Sequence, residues 1–361
     1  MDKKPSLIAI VINDVIYDQR MIRICTSLSE NFEVSLWGRA KSVASIVPQS
    51  YVQKRFQFLL NKGPLFYLFF NLRIFCKLIF SSFDIIHAVD LDTLPAAYFA
   101  CKLKGKKLVY DSHEYFTEVP ELIERPTKRA IWLRIEAYLL PKVSNAITVS
   151  QGIADAYKEK YNVGFEVIRN CPVSFELASK KNEVKYLLYQ GALNKGRGLE
   201  ATIEAMQDLP IILYIAGNGD IKKELQSLVL QLKLEDKVIF LGELNPIKLR
   251  DYTLGAFAGI NVADNLGLSY YLSLNNKFFD YIQCGIPAIT MPFPEYKRME
   301  TEYQCGYLAV AEPNEIKKAV NLLLSDTELY GLLRKNCLIA RQIRTWENEE
   351  KSLLKFYANL T

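Results

Sequence analysis

Long apolar runs are missing from this sequence. No stretch reaches the ~18 uncharged apolar residues that a membrane-spanning helix needs, so we expect no conventional span. Near the N-terminus, Lys3 and Lys4 precede an apolar stretch that covers only residues 7–12. That stretch is too short for the core of a secretion signal. We therefore expect a cytoplasmic protein.

Cysteine, glycine and proline are too few or too scattered to define a special class of protein. The seven cysteines lie far apart without a CxxC pair. This pattern predicts reduced packing residues and argues against a disulfide framework or a zinc site. With 17 glycines and 14 prolines in 361 residues, collagen-like and low-complexity chains are excluded.

What the sequence does contain is a globular composition and a regular alternation of short apolar strands with amphipathic helices. Half of the residues are apolar and 24% are charged, and the length suits two domains of ~150–200 residues. The alternation predicts α/β architecture, with parallel sheets covered on both faces. We place the first domain at residues 1–172 and the second at 173–340. We expect a C-terminal helix at 341–361 to return to the first domain.

The predicted strands form two series that meet near residue 172. The first series comprises residues 7–12, 33–37, 85–89, 107–111, 146–149 and 166–168, and the second comprises residues 186–190, 211–216, 238–241, 259–262, 288–290 and 307–310. The last helical pattern runs over residues 338–358. Because ligands of doubly wound folds bind beyond the carboxyl ends of the strands, we expect two Rossmann-like domains facing each other across a ligand cleft.

Positive charge is concentrated in the first domain. Residues 1–172 contain 23 Lys+Arg and 17 Asp+Glu (net +6), whereas residues 173–361 contain 22 and 23 (net −1). Between Tyr51 and Phe83, five basic residues and no acidic residue accompany the stretch PLFYLFFNLRIFCKLIF. Two interpretations stay open: a helix lying on an anionic membrane surface, or a buried core helix flanked by solvated lysines. A nucleic-acid site is disfavoured, because Phe and Leu dilute the cations and no binding motif accompanies them.

A glycine-rich turn, YQGALNKGRGLE, follows the first strand of the second series. Glycines at this point let the backbone approach a ligand closely, and they are Gly191, Gly196 and Gly198. Arg197 and the N-terminus of the next helix supply positive potential for a phosphate. The turn lacks the spacing of the P-loop and of the GxGxxG fingerprint, so neither of those families follows.

Two further segments of the second domain carry polar groups next to predicted strands or helices. In IAGNGD, Asp220 is placed to cap a helix. In SLNNKFFDYIQCGIPAI, Asn276 and Lys277 lie three or four residues before Asp280 and share a helix face with it. This arrangement suits a nucleoside diphosphate, with a cation for phosphate and a carboxylate for ribose. The alternative is a surface Lys–Asp pair worth only ~0.3–0.5 kcal/mol.

Together these segments resemble glycosyltransferase family 4 enzymes of GT-B architecture, such as those of bacterial capsule and lipopolysaccharide assembly. The resemblance rests on NDVIYDQRMIRI, DLDTLP, YDSHEYFTEVPEL, YQGALNKGRGLE, IAGNGD, FLGEL and LNNKFFDYIQCGIPAI. It implies a retaining, metal-independent sugar transfer from a nucleotide-sugar co-substrate, with no other cofactor. The donor-binding residues that it implies are Gly191, Arg197, Gly217, Asn218, Gly219, Glu243, Asn276, Lys277 and Asp280.

Four family positions differ in this chain. Arg197 stands where the family usually has a lysine for the donor diphosphate, and Asp280 stands where it has the second of two glutamates eight positions apart. The first glutamate of that pair is replaced by Leu272, and an arginine expected after the strand glycine is replaced by Ala192. Lys277 is expected to replace the missing phosphate cation.

The first domain contains the chain's two histidines. His87 lies inside the apolar strand IIHAV and is predicted to be a hydrogen-bonded core residue. His113 follows a strand in Asp-Ser-His-Glu and should face the cleft. The resemblance places it near the transferred sugar, and we assign it to positioning because retaining GT-B enzymes offer no agreed nucleophile. Glu114, Asp18 and Arg20 are expected on the acceptor side. The alternative for Asp18 and Arg20 is a charge at the N-terminus of a helix and a solvated surface ion pair.

Asp90 and Asp92 form an Asp-x-Asp pair of the kind that holds Mn²⁺ or Mg²⁺ beside a diphosphate in the other large glycosyltransferase fold. Here the pair precedes Thr-Leu-Pro, which is typical of a helix start. We therefore expect these aspartates to cap a helix and expect no metal site.

The leading hypothesis is a glycosyltransferase that works on a lipid-linked or oligosaccharide acceptor at the inner face of the cytoplasmic membrane. One alternative is a nucleotide-sugar epimerase of the same fold, which needs neither an acceptor nor a membrane. A second alternative is a degenerate, non-catalytic sugar-nucleotide-binding subunit, suggested by Ala192 and Leu272.

Overall fold

A computed structural model describes residues 4–41, 47–177 and 184–360. The chain divides into two compact units. The first combines the chain up to Asn170 with the segment from Glu349 onward, and the second is Cys171–Asn348. Six of the seven cysteines, all but Cys76, are buried, as expected of packing residues.

The first unit is built on a seven-stranded parallel sheet in the order β3-β2-β1-β4-β5-β6-β7. Its strands are β1 (Ser6–Ile10), β2 (Glu33–Arg39), β3 (Val52–Phe56), β4 (Ile85–Val89), β5 (Lys107–Ser112), β6 (Asn145–Thr148) and β7 (Glu166–Val167). Its helices are α1 (Gln19–Leu28), α2 (Pro64–Ile79), α3 (Asp90–Lys104), α4 (Pro120–Ile123), α5 (Pro126–Leu139) and α6 (Gln151–Tyr161), with 3₁₀ turns at Phe116–Glu118 and Leu140–Lys142.

The second unit has a six-stranded parallel sheet in the order β10-β9-β8-β11-β12-β13. Its strands are β8 (Tyr186–Gln190), β9 (Ile212–Ala216), β10 (Val238–Gly242), β11 (Ala258–Asn261), β12 (Ala288–Thr290) and β13 (Gly306–Leu308). Its helices are α7 (Leu199–Ala205), α8 (Lys222–Gln231), α9 (Pro246–Gly255), α10 (Leu268–Tyr271), α11 (Asn276–Gln283), α12 (Pro294–Tyr303), α13 (Pro313–Ser325) and α14 (Thr327–Ile343), with a 3₁₀ turn at Met206–Asp208. The last helix, α15 (Trp346–Ala358), begins in this unit and ends in the first.

The central strands read as continuous apolar runs because both faces of each sheet are covered. In β8, Leu187 and Tyr189 pack into one apolar cluster while Tyr186 and Leu188 pack into another. The strand order reverses between β1 and β4 and again between β8 and β11. Loops leave in opposite directions at such points, which opens the ligand-binding crevice of a doubly wound sheet. The predicted α/β class with two doubly wound sheets is confirmed.

Some elements were not predicted. Strand β3 was missed, and the single helical pattern at 338–358 is wrong. The helix is interrupted at Arg344 and Thr345. The Trp346 N–H donates a hydrogen bond to the carbonyl of Pro172, 2.8 Å away, and not to a carbonyl of the preceding helical turn. The result is two helices, α14 and α15.

Helix α2 has two apolar faces. Phe66, Phe70, Ile74 and Leu78 recur every four residues and are buried, so one face belongs to the core. The opposite face carries four large apolar side chains that are 51–59% exposed, namely Leu65, Leu68, Phe69 and Leu72. Over the described residues, none of the helices combines the length and apolarity required for spanning a membrane.

Candidate active site

The two glycine turns of the second unit pack against each other at the carboxyl edge of its sheet. Gly191 follows β8 and Gly217 follows β9. At Gly217 φ is +145°, and a Cβ there would lie 1.9 Å from the carbonyl oxygen of Gly191. A Cβ at Gly219 would lie 2.4 Å from the carbonyl oxygen of Leu193. Close backbone packing therefore requires glycine at these positions, and the exposed side of Gly191 remains open to a ligand.

Lys277, near the N-terminus of α11, lies against the glycine turn that contains Gly191. Its side chain is buried, and its Nζ lies 3.7 Å from the centre of the Tyr189 ring. A Cβ built on Gly191 would be 3.6 Å from the same Nζ. Burial lowers the pKa of Lys277 well below its ordinary value, nearby Arg197 lowers it further, and Asp280 acts in the opposite direction. The surface Lys–Asp pair is therefore the wrong description of this lysine.

Arg197 is the second cation of this site. Its guanidinium carbon lies 4.4 Å from the centre of the Tyr270 ring, and within the described part of the chain its buried Nε has no hydrogen-bond partner. No acidic residue occurs in the first turn of α11, whose free N–H groups add positive potential. Two cations and a helix N-terminus thus converge beside an open glycine turn. An anion such as a diphosphate satisfies all three.

Asp280 belongs to a polar chain that the sequence did not reveal. Its Oδ2 accepts a hydrogen bond from Nε2 of Gln190 at 2.8 Å, and Oε1 of Gln190 accepts one from the Thr253 hydroxyl at 2.8 Å. Gln190 is the buried last residue of β8. The available signal was a polar residue closing an otherwise apolar strand.

The remaining donor-side candidates lie at the surface of the same carboxyl edge. Asn218 is exposed, and its carbonyl accepts a hydrogen bond from the Leu193 N–H at 2.9 Å. Glu243 directly follows β10, Asn276 begins α11, and both are exposed. The cap predicted at Asp220 is wrong: the N-cap of α8 is Ile221, without a side-chain hydrogen bond.

In the first unit, the buried carboxylate of Asp111 joins three basic side chains. Arg20 donates from Nη2 to Oδ1 at 3.0 Å and from Nε to Oδ2 at 3.3 Å. Nε2 of His113 lies 3.0 Å and Nε2 of His87 lies 3.3 Å from Oδ2. Although burial opposes ionisation, Arg20 and His113 hold the pKa of Asp111 well below its usual range. Asp111 is therefore a permanent anion inside the unit.

His113 is the member of this cluster that reaches solvent, with 19% of its side chain exposed. Burial alone would lower its pKa, but Asp111 and Asp90 outweigh burial and raise it to about 9. At neutral pH the ring is an imidazolium that donates to Asp111. It is therefore a hydrogen-bond donor and a positive charge, and a weak candidate for a general base.

His87 is the hydrogen-bonded core residue that the sequence predicted. It is fully buried, and burial lowers its pKa, so the ring is neutral. A neutral ring that donates from Nε2 to Asp111 must accept at Nδ1, where the hydroxyl of Tyr357 lies 2.5 Å away. Tyr357 belongs to α15 and stands 270 positions further along the chain, which is why no sequence pattern indicated this contact.

Asp90 and Asp92 do not cap α3, and that prediction is wrong. The N-cap of α3 is Val89, and both aspartates lie in the first turn. Oδ1 of Asp90 accepts from the His113 N–H at 2.9 Å, and burial raises the pKa of Asp90 to about 6. Burial and Asp90 raise the pKa of Asp92 well above its ordinary value. Within residues 4–41, 47–177 and 184–360, no three His, Cys, Asp or Glu side chains form a group suited to a metal ion.

The acceptor-side candidates have different places in the first unit. Asp18 caps α1 and accepts from the Met21 N–H at 3.0 Å. Arg20 is buried and directs its third donor, Nη1, to the carbonyl of Ile168 at 2.7 Å. It supports the site through Asp111, and the solvated surface pair is the wrong description of it. Glu114 is exposed beside His113.

Comparison with known proteins gives consistent matches over nearly the whole chain. The family profile described as "Glycosyl transferases group 1" matches residues 174–337, and "Glycosyltransferase Family 4" matches residues 20–171.

Two curated relatives and one solved structure are similar to the chain. A chitobiosyldiphosphodolichol beta-mannosyltransferase of Debaryomyces hansenii is 29% identical over 38% of this chain and 30% of its own. The O-antigen chain mannosyltransferase RfbU of Salmonella typhimurium is 28% identical over 32% of this chain and 35% of its own. These matches thus span about a third of each relative. Anabaena Alr3699/HepE in complex with UDP and glucose superposes with a TM-score of 0.76 at 14% identity, over 98% of this chain and 99% of its own.

Proposed function

The chain belongs to glycosyltransferase family 4 and is a glycosyltransferase of GT-B fold, and from this premise we propose a specific reaction. The enzyme transfers a sugar from a nucleotide-sugar donor to a lipid-linked saccharide acceptor during surface polysaccharide synthesis. The transfer retains the configuration of the sugar and requires no metal ion. No cofactor is used besides the nucleotide sugar.

The observation that carries the donor assignment is the pair of cations in the second unit, the buried Lys277 and the half-buried Arg197. Arg197 lowers the pKa of the buried Lys277, and the opposing effect of Asp280 does not offset burial and Arg197 together. A diphosphate placed over Gly191 supplies the missing negative charge. The similar Anabaena structure contains UDP, which supports uracil as the first base to test.

Retention and metal independence are supported by the charge of the two clusters. An inverting transfer needs a base that deprotonates the acceptor hydroxyl, and an imidazolium such as His113 does not serve as one at neutral pH. Lys277, Arg197 and the N-terminus of α11 provide the positive charge that stabilises a leaving diphosphate. In this proposal His113 donates a hydrogen bond to a substrate oxygen.

A lipid-linked acceptor is supported by relatives and by the surface of the first unit. One relative is named for a diphosphodolichol-linked saccharide and the other for an O-antigen chain. The outer face of α2 is apolar, and α3, which packs against α2, exposes Phe99 by 42% and Leu103 by 70%. Apolar side chains among cations bind the surface of an anionic leaflet. We therefore place the enzyme on the inner face of the cytoplasmic membrane.

The donor proposal is tested by thermal shift with UDP, GDP, TDP and CMP, since a ligand that binds the folded state raises its stability by mass action. The preferred nucleotide sugar is then incubated without acceptor. Slow hydrolysis supports a transferase, accumulation of an epimerised donor supports the epimerase, and binding without turnover, even with lipid-linked acceptors, supports the non-catalytic subunit.

The membrane proposal is tested by co-sedimentation with anionic vesicles. Leu68→Ser with Phe69→Ser removes two exposed apolar side chains from α2, whereas Leu230→Ser, at a position that is 62% exposed on α8, is the matched control. Loss of pelleting in the α2 variant alone supports the proposal. Equal pelleting of the wild type and both variants would show that this face of α2 does not bind membranes. A soluble acceptor would then be the better hypothesis.

A further inference from the structure

A groove of about 330 Å³ lies on the first unit, between strand β2, the edge strand β3 and the C-terminal end of α2. Its lining includes three aromatic residues, two lysines and a serine: Trp37, Phe56, Phe80, Lys54, Lys77 and Ser81. None of these residues belongs to the Asp111 cluster or to the cation pair of the second unit. The groove is therefore separate from both of the clusters described above.

The sheet register builds the floor of the groove. Trp37 of β2 pairs with Lys54 of β3, and the ring of Trp37 meets that of Phe56 edge to face, with centroids 5.6 Å apart. Lys54 Nζ lies 5.1 Å from the centre of Trp37, and Lys77 Nζ lies 5.3 Å from the centre of Phe56. Both ammonium groups are thus held over one aromatic pair.

The two lysines differ from Arg55, which follows Lys54 on β3. Arg55 forms an ion pair with Asp14 at 2.6 Å. In the described ranges of the chain, no carboxylate lies within ion-pair distance of Lys54 or Lys77. Residues 51–83 contain no acidic residue at all. The positive charge of the groove is therefore matched by rings and solvent only, and a phosphate is the complementary ligand.

An apolar surface continues from the groove. Phe80, directly after α2, is 91% exposed, and the outer face of α2 extends away from it through Leu72, Phe69 and Leu65. A ligand that uses both regions carries a phosphate and a long hydrocarbon chain. That combination is the chemistry of an anionic phospholipid, and free phosphate uses only half of it.

We propose that this groove binds one anionic phospholipid, with its phosphate between Lys54 and Lys77 and its acyl chain along the outer face of α2. The site rests on the proposed attachment to a membrane and adds a defined headgroup position to it. It shares no residue with either substrate cluster, so it anchors the enzyme without taking part in transfer.

Trp37 provides the readout, because it is one of only three tryptophans. A variant with Trp132→Phe and Trp346→Phe leaves Trp37 as the sole indole, and quenching by bromine on lipid acyl chains reports close contact. We expect strong quenching by brominated phosphatidylglycerol and little by brominated phosphatidylcholine. Inorganic phosphate should not compete with the vesicles at matched ionic strength.

Two double variants of equal charge separate the groove from general attraction. Lys54→Gln with Lys77→Gln should weaken binding to phosphatidylglycerol vesicles ~30-fold and abolish quenching, at about fivefold per lysine near an anionic surface. Lys128→Gln with Lys158→Gln removes the same charge from exposed positions of α5 and α6 on the same unit, outside residues 51–83, and should retain quenching and most of the affinity.

The outcomes distinguish the groove from the membrane proposal. Retained pelleting without quenching of Trp37, or equal loss in both double variants, overturns the groove and leaves membrane attachment intact. Competition by inorganic phosphate overturns the lipid as its ligand. Absence of pelleting by the wild-type protein overturns the groove together with the attachment on which it rests, while the donor tests of the second unit are unaffected.

Discussion

Replacing Lys277 by Met should weaken the binding of nucleoside diphosphates without lowering the stability of the fold. The substitution keeps the linear side chain that packs on Tyr189 and removes the ammonium. In the free protein that ammonium is buried and lies near the positive charge of Arg197. We therefore expect the variant to unfold at a temperature equal to or higher than that of the wild type while binding nucleoside diphosphates more weakly.

The magnitude follows from the contacts. A hydrogen bond from a charged donor to a phosphate is worth ~1.5–3 kcal/mol, which corresponds to a ~10- to 150-fold rise in Kd. The folded-state pKa lies below the ordinary value of 10.5, so between that lowered pKa and 10.5 the unfolded chain binds more protons and stability rises with pH through this group. The stability gained by the variant should accordingly shrink as the pH approaches 10.5.

Calorimetric titration in buffers of different ionisation enthalpy measures both quantities. The bound anion should raise the lowered pKa of Lys277. At a pH between the free and the bound value, and above the phosphate pKa of ~6, the wild type should therefore take up protons when UDP binds. The Met variant should take up none, and Lys335→Met, an exposed lysine of α14, should behave as wild type. Equal affinity and equal proton uptake in Lys277→Met and wild type would refute the donor-site reasoning.

Three further outcomes are expected. Turnover should continue in the presence of EDTA. If EDTA abolished turnover and Mn²⁺ restored it, Asp90 and Asp92 would instead be metal ligands. His113→Gln should lose up to about 3 kcal/mol of unfolding free energy below pH 6.5 and progressively less as the pH rises through about 9, because the raised pKa links protonation to folding; a pH-independent deficit in urea titrations contradicts this. Gly217→Ala should cost ~2–4 kcal/mol and weaken UDP binding, since its Cβ meets a backbone oxygen at positive φ. Gly331→Ala, in open space on α14, should stabilise by ~0.5–1 kcal/mol, and similar losses in both variants would contradict the packing argument.

The central strands of both sheets were predictable because burial on two faces favours apolar side chains at nearly every position. All five residues of β4 and of β8 are buried, and short apolar runs between turns are typical of strands inside a parallel sheet. Strand β3 was not predictable in this way. It lies at the edge of its sheet, and its sequence, VQKRF, is mostly half-exposed. Polar edge strands lack the apolar run by which strands are recognised.

The candidate site shows the same division between local and distant information. Lys277 and Arg197 were identified from local spacing, but the burial of Lys277 was not, because it depends on Tyr189 of β8 and on Gly191 in the turn after β8. The contact between His87 and Tyr357 joins positions 270 residues apart. A single sequence carries no signal for such a pairing, since neither residue type is unusual in its own element.

The first unit is discontinuous along the chain, and this has a consequence for the order in which it is completed during synthesis. The ribosome produces the sheet of the first unit, then all of Cys171–Asn348, and only afterwards the segment that bears Tyr357. Until this segment emerges, Nδ1 of His87 lacks its partner, the Tyr357 hydroxyl. Phe32 likewise lacks the Tyr357 ring, whose centre lies 5.7 Å from its own in the folded protein. The Asp111 carboxylate beneath His113 thus acquires its full set of neighbours only after the whole of Cys171–Asn348 has been synthesised. A chain interrupted before α15 contains every residue of the second unit's sheet but an unfinished first unit.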